Sequence, residues 1–304
     1  MTTRSLPIRP PAWGSLTQIR PGRWVNLQLH PGQARAATTV FLIHGVGGNC
    51  RQWREQWRAL TEAGYRVVAW DFPGHGRSPE HRRHDNYLGA YSGPSLVEDI
   101  LALLRTLGGE RNVLVGHSYG ARLILAALQR LQARGRLAVV ERAVLLGVPA
   151  VDTQLSSRLF RYLPVFLLER LRPRLDAAFE RLAWHPDSDA ELIRQEQTIA
   201  SGNALHVIKA LINQAASLQS ARLHELHLPI LILAGDHDGL TPLAGAEALV
   251  DLLPRGALRV VPGSGHQIML EQPAETNRHL LDFLAADRGE VPRALAPCAE
   301  RSGG

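Results

Sequence analysis

Short apolar runs alternate with longer stretches of helical spacing along most of the chain. WVNLQLH (24–30) alternates apolar and polar positions, as a half-buried strand does. TTVFLIHG (38–45), YRVVAWDFPGHG (65–76), RNVLVG (111–116), ERAVLLGV (141–148), LPILILAGD (228–236) and ALRVVPG (257–263) are apolar runs, most of them closed by Gly or Pro, and predict buried strands. Between them, residues 49–63, SLVEDILALLRTL (95–107), ARLILAALQRL (121–131), 242–252 and 273–286 carry helical character. Strands that alternate with helices predict an α/β fold: a mostly parallel central sheet with helices on both faces.

The rhythm stops from about 153 to 225. No strand-like run occurs there; SSRLFRYLPVFLLERL, ELIRQEQTIA and ALHVIKALINQAASL predict successive helices instead. The expected organisation is a core of residues 1–152 and 226–287 and an all-helical insertion, 153–225. Residues 288–304, polar and containing Pro and Gly, form a tail expected to be frayed. No internal repeat is present.

The strand at 111–116 breaks at GHSYG and runs into a helix. A Gly-x-Ser-x-Gly spacing at a strand-to-helix turn pushes the Ser118 hydroxyl out at the carboxyl edge of the sheet, while Gly116 and Gly120 let backbones approach closely. A serine hydroxyl is a poor nucleophile until a base takes its proton, and the base needs an orienting carboxylate. Downstream strand ends offer Asp236 and Asp238 in LPILILAGDHDGLTP and His266 in LRVVPGSGHQIMLEQP. FLIHGVGGN (41–49) is a bare, glycine-rich loop after an early strand. HGVGGN lacks the GK[ST] ending of a nucleotide loop, so phosphate binding is set aside.

With these motifs, residues 24–286 resemble the α/β-hydrolase superfamily. In that family the acid lies three residues after a glycine and four before a proline, a spacing matched by Gly235, Asp238 and Pro242. Asp236 is then a turn residue, and Asp152, after the preceding strand, is a rival acid. The family's histidine follows a glycine after the last strand, as Gly265-His266 does. The resemblance implies Ser118 as nucleophile, His266 as proton shuttle, Asp238 as orienting acid, and an oxyanion hole from the N–H groups of Val46 and Tyr119. His44, His75 and Arg77 read as structural. No cofactor and no metal is implied, and a carboxylate nucleophile of the dehalogenase or epoxide-hydrolase kind is disfavoured by Ser118.

Composition narrows the picture further. Net charge is +6, and Lys209 is the single lysine among 34 basic residues. The arginines are scattered, without a basic arm, so nucleic acid is not an expected partner. Cys50 and Cys298 make no disulfide framework or metal pattern; Cys50, next to the glycine-rich loop, is expected near the site entrance. No leader-like apolar region and no membrane-length apolar run is seen, so a cytoplasmic location is expected.

The expected function is hydrolysis of carboxylic esters through an acyl-enzyme, with a small-molecule substrate. Thioesters, amides, carbon–carbon bonds and acyl transfer use the same triad and stay open, as does a non-catalytic ligand-binding role on this fold. The apolar insertion would serve packing, line a pocket for an apolar acyl or alkyl group, or touch a lipid surface. Oligomeric state is left open.

Overall fold

The computed structural model describes residues 14–81, 87–150 and 161–287. The strands are β1 (Ser15–Arg20), β2 (Arg23–His30), β3 (Arg35–Ile43), β4 (Tyr65–Trp70), β5 (Arg111–His117), β6 (Arg142–Leu146), β7 (Ile230–Gly235) and β8 (Gly256–Val261). They form one sheet in the order β1-β2-β4-β3-β5-β6-β7-β8. The β1–β2 and β2–β4 pairs are antiparallel and all the others parallel.

The helices are α1 (Arg54–Glu62), α2 (Tyr87–Ala90), α3 (Gly93–Leu107), α4 (Tyr119–Ala133), α5 (Val165–Ala183), α6 (Ala190–Ser201), α7 (Leu205–Asn213), α8 (Leu243–Leu252), α9 (Ile268–Glu271) and α10 (Pro273–Ala285). The apolar runs are buried on both faces because successive side chains of a strand point to opposite sides. Phe41, Ile43, Leu114, Ile230 and Ile232 join one core with α3, α4 and α8. Val40, Leu42, Val113, Val115, Leu231 and Leu233 join the other with α10. A buried ion pair clamps the N-terminal strands to α3: Asp99 accepts from Arg23 Nε at 2.7 Å and Arg20 Nε at 2.6 Å. Both carboxylate oxygens are engaged, which offsets the desolvation of the buried charges.

Two points differ from the sequence reading. The edge strand β1 is an addition. The helix expected from residue 156 is interrupted at Pro164: residues 161 and 162 are helical, and α5 starts after Pro164, runs through Pro173 and ends at Ala183; residues 151–160, with Asp152, lie outside the described residues. The tail expected at residues 288–304, with Cys298, likewise lies outside the described residues. Among the described residues no helix is long and apolar enough to cross a membrane.

The topology places the site. After β3 the chain moves to β4 on one side; after β4 it crosses to β5 on the other side of β3. The crevice outside the carboxyl ends of β3 and β5 is therefore a topological switch point, where open α/β sheets bind ligands. Residues 44–49 and Ser118 stand at that crevice. Helices α5 to α7 lie beside it, tied to its loops by Asn203, whose side chain donates to Gly47 O and accepts from Gly76 N.

Candidate active site

Ser118 has φ 52° and ψ −114°, the one non-glycine residue with positive φ among the described residues. Backbone strain of this kind, about 1–3 kcal/mol, persists only where the surroundings over-determine it. Here they do. Ser118 N–H donates to Leu146 O at 2.8 Å. A Cβ on Gly120 would stand 2.3 Å from Ile43 O, and one on Gly116 would stand 2.8 Å from Ala121 N. The two glycines of the motif thus press the first turn of α4 onto the ends of β3 and β5. The Ser118 hydroxyl does not cap α4 and lines a cavity instead.

Asp238 and His266 meet from separate loops. His266 Nδ1 donates to Asp238 Oδ2 at 2.8 Å, and both side chains are almost wholly buried. The other carboxylate oxygen, Oδ1, accepts from the N–H groups of Leu240 and Thr241 at 2.9 and 2.8 Å. Asp238 is therefore a turn-forming aspartate and a histidine partner at once, one oxygen for each task. Burial pushes its carboxyl up, but the bonds from His266 and Thr241 outweigh burial and hold it below the usual carboxylate range. His266 Nε2, the nitrogen not bonded to Asp238, belongs to a ring that lines the same cavity as Ser118. Asp236 binds the N–H groups of Gly263 and Ser264, both at 3.1 Å, and so ties the acid loop to the histidine loop.

Val46 and Tyr119 line the cavity on either side of Ser118. The loop carrying Val46 is braced from below. His44 Nδ1 donates to Gly45 O at 2.7 Å and its Nε2 accepts from Phe72 N–H at 2.9 Å. His75 Nε2 accepts from Gly47 N–H at 3.2 Å. Arg77 contributes its backbone N–H to Asp71 Oδ2. Cys50 corrects the expectation that it stands near the entrance: it is 2 % exposed, inside the core, because its N–H is drawn in by Asp71 Oδ1 at 2.7 Å. Burial, then the charge of Asp71, pushes its thiol up, away from reactivity.

A second layer, which no motif announces, lies beneath these residues. Gln52 Oε1 accepts from Gly45 N–H at 3.2 Å, and its Nε2 faces His117 Nδ1 at 3.2 Å and Gln267 Oε1 at 2.9 Å. His117 Nε2 donates to His266 O at 2.8 Å. One amide thus joins the glycine-rich loop, the serine turn and the histidine loop. These bonds fix His117 as the neutral Nε2–H tautomer.

A pH dependence of stability follows. Burial, followed by the charge of a neighbouring histidine, pushes both His75 and His117 down to about 3. In the unfolded chain each would titrate near 6.5. Below that pH the unfolded state holds more protons, so stability falls as pH drops from about 6.5 toward 3. Between pH 7 and pH 5 the loss should be about 2 kcal/mol per histidine, about 4 kcal/mol for the pair. Urea midpoints at the two pH values measure it; equal midpoints would contradict it.

The cavity over Ser118 and His266 has a volume of about 720 Å³. One wall is made by Val46, Gly47, Gln52 and Tyr119; the other comes from α5 to α7, with Leu175, Phe179, Ile199, Leu205, Ile208 and Ile212. That size is within the range of small-molecule sites.

Comparison with known proteins bears on the fold. Residues 38–273 match the family model described as alpha/beta hydrolase fold. The chain is similar to protein ABHD8 of Bos taurus, 29% identical over 271 residues, which is 86% of this chain and 59% of that protein. It therefore spans about three-fifths of the length of these curated relatives. It is also similar to RutD of Variovorax paradoxus, provisionally named a carbamate hydrolase, 30% identical over 253 residues, covering 81% of this chain and 91% of that one. Among solved structures, the esterase EaEST of Exiguobacterium antarcticum superposes with a TM-score of 0.75 at 18% identity, over 90% of this chain and 100% of the esterase.

Proposed function

For a chain that belongs to the α/β-hydrolase fold family, we propose serine-dependent hydrolysis of carboxylic esters carrying an apolar acyl or alkyl group. The observation that carries the reading is the buried Asp238–His266 pair facing, across one cavity, a serine held in a strained turn. His266 Nε2 takes the Ser118 proton as Oγ attacks the carbonyl carbon. Asp238 holds the imidazole in the Nδ1–H tautomer and stabilises the imidazolium that forms. The N–H groups of Val46 and Tyr119 receive the oxyanion. His266 then protonates the leaving alcohol, and a water deprotonated by the same nitrogen releases the acid.

The insertion acts as a cap whose apolar side chains form the acyl pocket. A buried methylene contributes about 0.8 kcal/mol, so a p-nitrophenyl butyrate should exceed the acetate by about tenfold in kcat/KM. A series from acetyl to palmitoyl tests this. A preference for acetate would contradict the apolar-pocket assignment. The likeness to RutD favours a second reading, carbamate hydrolysis on the same triad. Turnover of an aryl carbamate with no turnover of any ester would replace the first reading by the second.

A further inference from the structure

Beside the acid loop, three metal-ligating side chains that do not line the cavity converge. His185 follows α5 in the insertion, and Asp236 and His237 follow β7 in the core. One ligating atom from each lies within 4.8 Å of the others. The rings of His185 and His237 are in edge contact, with centroids 4.3 Å apart. None of the three lines the cavity over Ser118, and the reaction proposed above uses none of them.

The backbones that carry these groups are pinned. Gly239 N–H donates to Leu182 O at 2.9 Å, and His266 N–H donates to Ala183 O at 2.7 Å. His185 N–H and Ser188 Oγ both donate to Glu271 Oε1 at 2.7 Å, and Gly265 N–H donates to Glu271 Oε2 at 3.0 Å. His237 N–H donates to Ser264 O at 3.0 Å. The donors therefore sit on a fixed frame, with Asp236 and His237 at the surface and His185 largely buried. Asp236 Oδ1 accepts from Ser264 N–H at 3.1 Å and faces His237 Nδ1 at 3.1 Å, while among the described residues Oδ2 accepts only from Gly263 N–H, which leaves a lone pair on Oδ2 for a cation.

We propose that His185, Asp236 and His237 form a binding site for a divalent cation of the zinc type, which bridges the helical insertion to the loop carrying Asp238. Two imidazoles and one carboxylate are the donor set that suits zinc and its neighbours, whereas calcium and magnesium take oxygen ligands. Tetrahedral zinc with bonds near 2.0–2.1 Å needs donors about 3.4 Å apart. His237 Nδ1 already stands 3.1 Å from Asp236 Oδ1, and the widest separation, at most 4.8 Å, closes by about 1.4 Å through side-chain rotation at the two histidines. A fourth position stays for water or for Asp187, whose Oδ2 lies 3.9 Å from His185 Nδ1. Bound metal would hold the insertion against the core at the point where the acid and histidine loops meet. The ligands come from distant parts of the chain, so no local spacing in the sequence announces them.

The test is calorimetric titration of zinc chloride into the chelator-treated full chain, with a parallel cobalt(II) titration read in the visible spectrum. The expected result is one zinc per chain, four-coordinate cobalt bands, and a melting temperature that rises with zinc. His185→Asn and His237→Asn should each weaken binding by tenfold or more and remove the cobalt bands. Circular dichroism of both variants checks that they fold. Absence of stoichiometric binding overturns the proposal. Equal binding by wild type and both folded variants overturns it as well, because the metal then sits on other side chains.

Discussion

Ser118→Ala should lower ester turnover by about 10⁴–10⁶-fold while leaving the melting temperature within a few degrees of wild type. The loss is large because base, acid and nucleophile act as one unit, and the oxyanion donors alone leave only a small residual rate. The fold survives because alanine keeps the Cβ that Ser118 already carries at φ 52°. Ser118→Gly separates the two roles of this position. It should be equally inactive yet more stable by about 1 kcal/mol, since glycine adopts positive φ without strain. Kinetics and thermal melts of both variants check the pair. More than a tenth of wild-type activity in the alanine variant would remove Ser118 from the mechanism.

Gly235→Ala should destabilise the protein by about 3 kcal/mol or more, and the protein that still folds should lose about 100-fold in kcat/KM. A Cβ at this position would stand 2.1 Å from Gly265 O and 2.5 Å from Ser264 O. Both are backbone atoms and cannot turn aside. Gly235 ends β7 three residues before Asp238, and Ser264 and Gly265 immediately precede His266. The added methyl would drive apart the two loops whose side chains meet at 2.8 Å. Gly202→Ala is the control: it has helical backbone angles, and its nearest contact would be Ile199 O at 3.3 Å. Urea unfolding of both variants measures the difference. Equal stabilities would show that the loops adjust without strain.

Gly235 also explains why its spacing could be read from the chain. The Gly-x-x-Asp pattern marks a strand end that must lie flush against a neighbouring loop. The Gly-x-Ser-x-Gly pattern is legible for the same reason, because Gly120 meets Ile43 O and Gly116 meets α4. The central strands were legible as apolar runs because both faces of the sheet are covered. β1 was not, because its side chains at Ser15, Leu16 and Gln18 are mostly exposed and carry no apolar alternation. Pro164, inside a run that predicts one helix, precedes the first turn of α5, where a missing N–H costs nothing. Gln52, His117 and Gln267 were illegible because each gains meaning only from partners brought by the fold. Gln52 and Gln267 are 2.9 Å apart in space and 215 positions apart in the chain.

The central claim is that Ser118 is an activated nucleophile. The most direct measurement is the intact mass of the full chain after treatment with a fluorophosphonate, followed by peptide mapping. The account predicts one adduct per chain, on Ser118, formed rapidly in wild type and slowed by at least 100-fold in His266→Ala. A chain that stays unlabelled, or is labelled elsewhere, or is labelled equally fast without His266, would contradict it.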